Sequence, residues 1–208
     1  MTIPASDVLR GVLFDLDGVL IDSSRAWHRV INRGRERLGY APPISWQAFI
    51  ATFGQSVERD RDDFFARHSV EQVDALFDEL MCDELDAIAL DPLAHTVLDA
   101  LAERGLARAV VTNTPLALAR RVLAATDIAP RVQALCAAGE AASKPAPDLV
   151  LLCLERLGLS ASEVVYVGDS ASDRGATRAA GVAMLGLRTD GDARIESLQD
   201  LLELVKSA

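Results

Sequence analysis

The sequence predicts an α/β fold: a parallel sheet with helices on both faces, and a small all-helical segment inserted after the first strand. Three observations predict it. From residue 91 onward, short apolar β-prone runs alternate with stretches of helical period, the pattern of parallel strands joined by right-handed crossovers. Between residues 22 and 90 no strand candidate appears and only helical periodicity recurs. A chain of 208 residues with 50% hydrophobic content can bury one large core and a smaller appendage.

The elements follow in order. Residues 12–15 form the first strand, a continuous apolar run of the kind a buried parallel strand shows. Asp22, Ser23 and Ser24 are placed to cap a helix through Trp27, Val30, Ile31 and Leu38 that ends at Gly39. A loop at 41–43 holds two prolines, and helices are expected around 45–51, 56–67 and 70–89. Asp91 and Pro92 read as an N-cap and a first helical residue, opening a helix to about Arg104 that Gly105 stops. Residues 107–112 are a strand, and Thr114-Pro115 opens a helix to about Ala125. Then come a strand at 132–136, a helix at 146–157 stopped by Gly158, a strand at 163–167, a helix at 173–180, a strand at 182–187 and a helix at 195–205. The expected organisation is a core of residues 1–20 and 91–208 with residues 21–90 as a separate helical unit.

Composition narrows the function. A formal net charge of −10 lacks the electrostatic footprint of a nucleic-acid or anionic-membrane binder. It leaves room for a small anionic substrate, because a metal and a few local cations reverse the field inside a site. Cys82, Cys136 and Cys153 are odd in number and scattered among apolar residues. They read as reduced core residues of a cytoplasmic protein, not as a disulfide framework or a zinc site. The N-terminus shows no signal peptide, and no run approaches the ~20 apolar residues of a membrane span.

The chemistry sits at strand ends, where open α/β sheets bind ligands. The run Val12-Leu13-Phe14 ends in Asp15-Leu16-Asp17-Gly18. Two carboxylates this close repel unless a cation or a shared proton intervenes, and Gly18 permits a sharp turn beside them. An ordinary polar turn also fits this stretch taken alone. The second strand end reads Thr112-Asn113-Thr114-Pro115, hydroxyl and amide groups before a helix N-terminus, an anion-binding arrangement; N-capping accounts for Thr114 but not for Thr112. The third loop holds Lys144 next to Pro145. A lone lysine is usually a solvated surface charge, and its place in this series gives it another reading. The fourth end reads Gly168-Asp169-Ser170-Ala171-Ser172-Asp173, in which Asp173 reads either as a helix cap or as the second of an acidic pair. Together these supply a carboxylate nucleophile, a neighbouring acid, a hydroxyl, a lysine and oxygen ligands of the kind Mg²⁺ prefers.

This ordered set resembles the haloacid dehalogenase-like (HAD) superfamily, whose fold is a Rossmann-like parallel sheet. The resemblance spans nearly the whole chain: Asp15–Gly18 matches its first motif, Thr112 its second, Lys144 its third and Gly168–Asp173 its fourth. The helical segment at 21–90 resembles the inserted cap of the phosphoglycolate phosphatase-like and β-phosphoglucomutase-like members. The resemblance implies that Asp15 is the nucleophile, forming an aspartyl-phosphate, and that Asp17 is the general acid and base. It implies that Thr112, the main chain of Asn113 and Lys144 hold the phosphoryl group. It implies Mg²⁺ on Asp15, the Asp17 carbonyl and Asp169, with Asp173 supporting the acidic loop directly or through water. The implied partner is a small phosphorylated metabolite, phosphoglycolate-like or a sugar phosphate.

The resemblance implies that an acid at position 17 disfavours phosphonate cleavage and dehalogenation, since members with those activities lack it. It also implies that Gly-Asp-Ser with a final Asp in the fourth motif favours hydrolysis over isomerisation, since mutase-like members more often carry Glu-Asp-Ser and a final Gly. A β-phosphoglucomutase-like mutase and a non-enzymatic binding protein on the same fold are the alternatives. Thr52–Ser56 is a candidate loop facing the metal, with Gln55 reaching substrate, although an ordinary inter-helix turn explains it equally. Arg59 and Arg61 fall in a mixed-charge run that reads as a solvated face. Trp27 and Trp46 read as packing residues of the helical segment.

Overall fold

The structure is a computed structural model that describes residues 1–5 and 7–206; of the expected core, Ser6, Ser207 and Ala208 lie outside the described residues. The chain runs β1 (Gly11–Phe14), β2 (Ile21–Asp22), α1 (Ser24–Arg37), α2 (Trp46–Ile50), α3 (Val57–Phe64), α4 (Val70–Met81), β3 (Ala89–Leu90) and α5 (Ala94–Glu103). It continues β4 (Ala107–Pro115), α6 (Leu116–Ala125), β5 (Ala134–Ala138), α7 (Asp148–Leu157), β6 (Val164–Gly168), α8 (Ala171–Ala180), β7 (Ala183–Leu187), β8 (Ala193–Ile195) and α9 (Leu198–Lys206). Six strands form one parallel sheet in the order β5-β4-β1-β6-β7-β8. β1 therefore lies inside the sheet, and its end opens between the ends of β4 and β6.

The two-residue period of a strand sends alternate side chains to opposite faces, and the core divides accordingly. Val12 and Phe14 of β1 pack with α5, α6 and α9 through Leu98, Val122 and Leu201. Leu13 packs on the other face with Leu149 and Cys153 of α7 and Ala176 of α8. Helices thus cover both faces, which is why the strands read as unbroken apolar runs.

Several boundaries differ from expectation, each for a physical reason. The region expected to hold helices alone also contains β2 and β3, which pair antiparallel through Ile21–Leu90 and Asp22–Ala89. α4 stops at Met81 instead of running to 89. The chain then turns so that Asp83 and Glu84 meet Arg33 and Arg29 of α1 at 2.9 and 2.7 Å. Residue 195 ends a strand and does not start a helix, because Ile195 pairs with Leu187 and is buried. Asp91 is not the cap of α5; its carboxylate accepts the Leu93 N–H at 2.9 Å in a turn before the helix. Cys82 is exposed, as is Trp46 at 43%, so neither is a core residue, whereas Cys136 and Cys153 are buried. All three cysteines are free. Among the described residues, no helix is long and apolar enough to cross a membrane.

Candidate active site

Asp15 follows β1 directly, and burial leaves it 3% exposed. Its Oδ1 accepts the Leu16 N–H at 2.7 Å and meets the Lys144 ammonium at 2.8 Å. Lys144 comes from the loop before α7 and is itself buried. The Asn113 side chain holds that loop: its Oδ1 accepts the Lys144 N–H at 2.7 Å, and its amide donates to the Lys144 carbonyl at 2.9 Å. The same amide group donates to the Gly54 carbonyl at 3.2 Å, tying the end of β4 to the helical segment.

Asp17 points elsewhere. Its Oδ2 accepts the Thr114 hydroxyl at 2.7 Å and lies 3.5 Å from the Thr112 hydroxyl. Its Oδ1 accepts from the Ser23 hydroxyl and, at 3.3 Å, from the Trp27 indole N–H. The β4 ladder shifts register between Thr112 and Pro115, which frees these side chains from regular pairing. Thr114 was expected only to cap α6, but Pro115 takes the cap position and the threonine hydroxyl turns to Asp17.

β6 brings the remaining acids. Asp173 is fully buried in the first turn of α8, where Ser170 is the N-cap and the two residues form a capping box. Its Oδ1 meets Lys144 Nζ at 2.7 Å and accepts the Tyr166 hydroxyl at 2.7 Å. Its Oδ2 accepts the Ser170 hydroxyl at 2.6 Å and the N–H groups of Asp169 and Ser170 at 3.2 and 3.1 Å. Asp169 sits against Gly18, whose φ is +84°; a Cβ there would lie 2.0 Å from Asp169 Oδ2. The glycine is needed both for the turn and for this approach.

The structure thus brings Asp15, Asp17, Thr112, Asn113, Lys144, Asp169 and Asp173 to one edge of the sheet. Oxygen atoms of Asp15, Asp169 and Asp173 all lie within 4.8 Å of one another. One ammonium does not balance this charge. Burial, then the charge of Asp173, pushes the Asp15 carboxyl well above its ordinary value despite Lys144. The same two causes push Asp169 up to about 7. Asp173 goes the other way: burial opposes its ionisation, but the Lys144 charge and the hydrogen bonds from Lys144, Ser170 and Tyr166 outweigh it. Burial likewise opposes the Lys144 charge, and Asp15 and Asp173 overcome it, so the lysine stays protonated. A cluster of oxygen donors with surplus negative charge fits a hard divalent cation.

A haloacid dehalogenase-like hydrolase family model matches residues 9–181. The chain belongs to this family. Among curated relatives of this HAD-like hydrolase, the phosphoglycolate phosphatase of Yersinia pseudotuberculosis is 32% identical over 189 residues, covering 86% of this chain and 81% of that one. The phosphoglycolate phosphatase of Escherichia coli K12 is 29% identical over 204 residues with the same coverage. Among solved structures, a HAD-superfamily subfamily IA hydrolase from Geobacter sulfurreducens superposes with a TM-score of 0.76 at 24% identity, covering 94% of this chain and 99% of that one. CbbY from Rhodobacter sphaeroides in complex with phosphate gives 0.82 at 20% identity, with coverage of 95% and 98%. The structural likenesses share the fold; the family match and the curated relatives make this HAD-like hydrolase an enzyme of the phosphatase class.

Sequence reasoning missed several residues of the HAD-like site. Ser23, Trp27 and Thr114 orient Asp17, and none is marked by a motif. Tyr166 looks like any buried strand aromatic, yet its hydroxyl lies 3.0 Å from Lys144 Nζ and 2.7 Å from Asp173. Tyr166→Phe is expected to cost about 1–1.5 kcal/mol of stability by removing a buried hydroxyl from a satisfied network. Denaturant unfolding, with the midpoint shifted and the slope unchanged, is the measurement that checks it.

Proposed function

We propose that the protein is a Mg²⁺-dependent phosphatase that hydrolyses a small phosphorylated metabolite, phosphoglycolate-like or a sugar phosphate, through an aspartyl-phosphate on Asp15. The observation that supports this most directly is the meeting of Asp15, Lys144, Asp169 and Asp173 from three separate strand ends and loops around one pocket of surplus negative charge. Asp15 attacks phosphorus, and the bond to the ester oxygen breaks. Asp17, oriented by Thr114, Ser23 and Trp27, gives its proton to the departing oxygen. It then takes a proton from the water that attacks the acyl phosphate, which releases phosphate and restores Asp15. Thr112, the Asn113 main chain and Lys144 steady the phosphoryl oxygens.

Asp15, the Asp17 carbonyl and Asp169 are the residues assigned to Mg²⁺. The cation, when bound, offsets the charge that builds up between carboxylates and phosphate. Five donors already reach the two oxygens of Asp173, which suits it to holding Lys144 and the 169–170 turn in place. Residues 21–90 act as a cap that closes over the pocket. Three free thiols suit a reducing compartment, the cytoplasm.

The experiment is hydrolysis of 4-nitrophenyl phosphate with Mg²⁺ and with chelator; turnover unaffected by chelation rejects the metal assignment. Stability gives a second readout. Asp169 titrates at about 7 when folded and near 4 when unfolded. Between those values the folded state holds more protons, so the metal-free protein loses stability as pH rises from about 4 through 7. Asp15 is shifted in the same direction. The depressed Asp173 acts oppositely, but its contribution disappears only below its unfolded value, outside this window. Mg²⁺ is therefore expected to raise the melting temperature by several degrees at pH 8 and by much less at pH 5. Thermal melts at the two pH values check it, and equal shifts contradict it.

A further inference from the structure

The cavity in front of Asp15 is walled on its far side by the helical segment, and among the described residues that wall carries one ionisable group, Asp60 of α3. The rest of the wall is uncharged and mostly apolar, with Trp27, Phe49, Phe53 and Phe77 as its aromatic faces and Gln55 beside Asp60. Gln55 donates to Asp60 Oδ1 at 2.8 Å, and the same amide group reaches Asp63 at 3.3 Å. Among the described residues no ion pair compensates Asp60; the charges that act on it are those of Asp63 and Glu58. Burial, opposed by the Gln55 hydrogen bond and assisted by those two acids, pushes its carboxyl up to about 7. At the opposite end, the one cation among the described residues that line the cavity is Lys144, already shared between Asp15 and Asp173.

A substrate that places its phosphoryl group at Asp15 presents its leaving group to this wall. A carboxylate there finds no cation among the described residues and, above about pH 7 where Asp60 is ionised, faces a carboxylate of its own sign. Like charges brought together at a desolvated contact are strongly disfavoured. A hydroxylated leaving group finds an acceptor in Asp60, whose carboxylate Gln55 holds in place, and aromatic faces for its C–H surface.

We propose that Asp60, positioned by Gln55, is a specificity-determining residue that admits phosphomonoesters with a neutral, hydroxylated leaving group, such as sugar and polyol phosphates, and turns away those whose leaving group carries a carboxylate. The inference rests on the phosphatase reading above. It separates this chain from its curated relatives, which are named for phosphoglycolate.

The test uses the full chain with Mg²⁺ above pH 7, where Asp60 is ionised, and compares kcat/KM for phosphoglycolate, glycerol 3-phosphate and glucose 6-phosphate, with 4-nitrophenyl phosphate as the reference. The wild type is expected to prefer one or both neutral esters over phosphoglycolate. Asp60→Asn keeps the shape and removes the charge, and is expected to raise the ratio of phosphoglycolate to glycerol 3-phosphate by about tenfold or more. Gln55→Glu adds charge at the same wall and moves the ratio the other way, so the inference stays testable if Asp60→Asn does not fold. Asp62→Asn, at an exposed position off the cavity wall and paired with Arg61, is expected to leave the ratio within about twofold. A wild type that prefers phosphoglycolate overturns the inference and leaves the phosphatase reading standing. So does a ratio unmoved in the folded variants while the aryl ester is still cleaved. Failure to cleave the aryl ester at all, or cleavage that survives Asp15→Asn, overturns the phosphatase reading and this inference with it.

Discussion

Asp15→Asn is expected to lower 4-nitrophenyl phosphate turnover by at least about 10⁴-fold, because an amide cannot replace a carboxylate as the attacking group. The loss is expected without unfolding. Asp15 is buried beside Asp169 and Asp173, and its ionisation in the metal-free protein is already unfavourable. Removing one negative charge leaves Lys144 paired with Asp173 at 2.7 Å. The variant is therefore expected to melt no lower than the wild type in chelator, while its Mg²⁺-dependent stabilisation shrinks. Steady-state kinetics and parallel melts check both halves. Undiminished turnover in a folded variant rejects Asp15 as nucleophile.

Lys144→Met carries the largest expected loss of stability. The ammonium touches Asp15, Asp173, the Tyr166 hydroxyl and the Val111 carbonyl, all within 3.0 Å. Methionine fills much of the volume but leaves buried carboxylates without their counter-charge, a change that costs about 3–5 kcal/mol. For a chain of this length that is a fall in melting temperature on the order of 10 °C. Without the lysine the acids are pushed further up, so the folded state binds more protons than the unfolded one. The deficit is then largest near neutral pH and narrows as pH falls. Lys144→Arg restores charge but not shape, and is expected to recover part of the stability and little activity. A Lys144→Met protein that melts within two or three degrees of wild type at pH 7.5 contradicts this account of the network.

The parts of the fold that were legible were those whose burial is two-sided. β1, β4, β6 and β7 are apolar runs because helices cover both faces, and that composition is visible without coordinates. β8 and the β2–β3 pair were not legible. Strands of two or three residues carry too little pattern, and what makes them strands is a partner distant in sequence. The helix expected over 70–89 failed at its end for a similar reason. Residues 82–88 are helix-compatible in sequence, and the chain leaves the helix there to bring Ala89 and Leu90 opposite Asp22 and Ile21, pairing that is distant in sequence.

In the candidate site, Asp15, Asp17, Thr112, Asn113 and Asp169 stand out because polar residues interrupt apolar runs at strand ends, whereas Lys144 in a loop and Asp173 in a helix take their place from the order of the set and the resemblance it carries. Trp27 does not stand out, since nothing in its spacing shows that its N–H turns to Asp17. Asp60 was hidden inside a charged run. Arg59 next to it is indeed exposed, yet Asp60 shares a helical face with Val57 and Phe64 by three- and four-residue spacing. That spacing is the signal by which an inward-facing acid is distinguished from its solvated neighbours.

The short ribbon of β2 and β3 has a consequence for modularity. The Asp91 N–H meets the Leu20 carbonyl at 2.9 Å, and Ile21 and Asp22 stand opposite Leu90 and Ala89. The intervening residues therefore leave and rejoin the rest of the chain at a single doorstep, a two-stranded ribbon separate from the main sheet. A tight hairpin turn bridging Asp22 to Ala89 closes that gap with no rearrangement of strand order. Replacing those residues with another insert leaves the order of the six-stranded sheet untouched, and the pair of threads at the doorstep is where such surgery belongs.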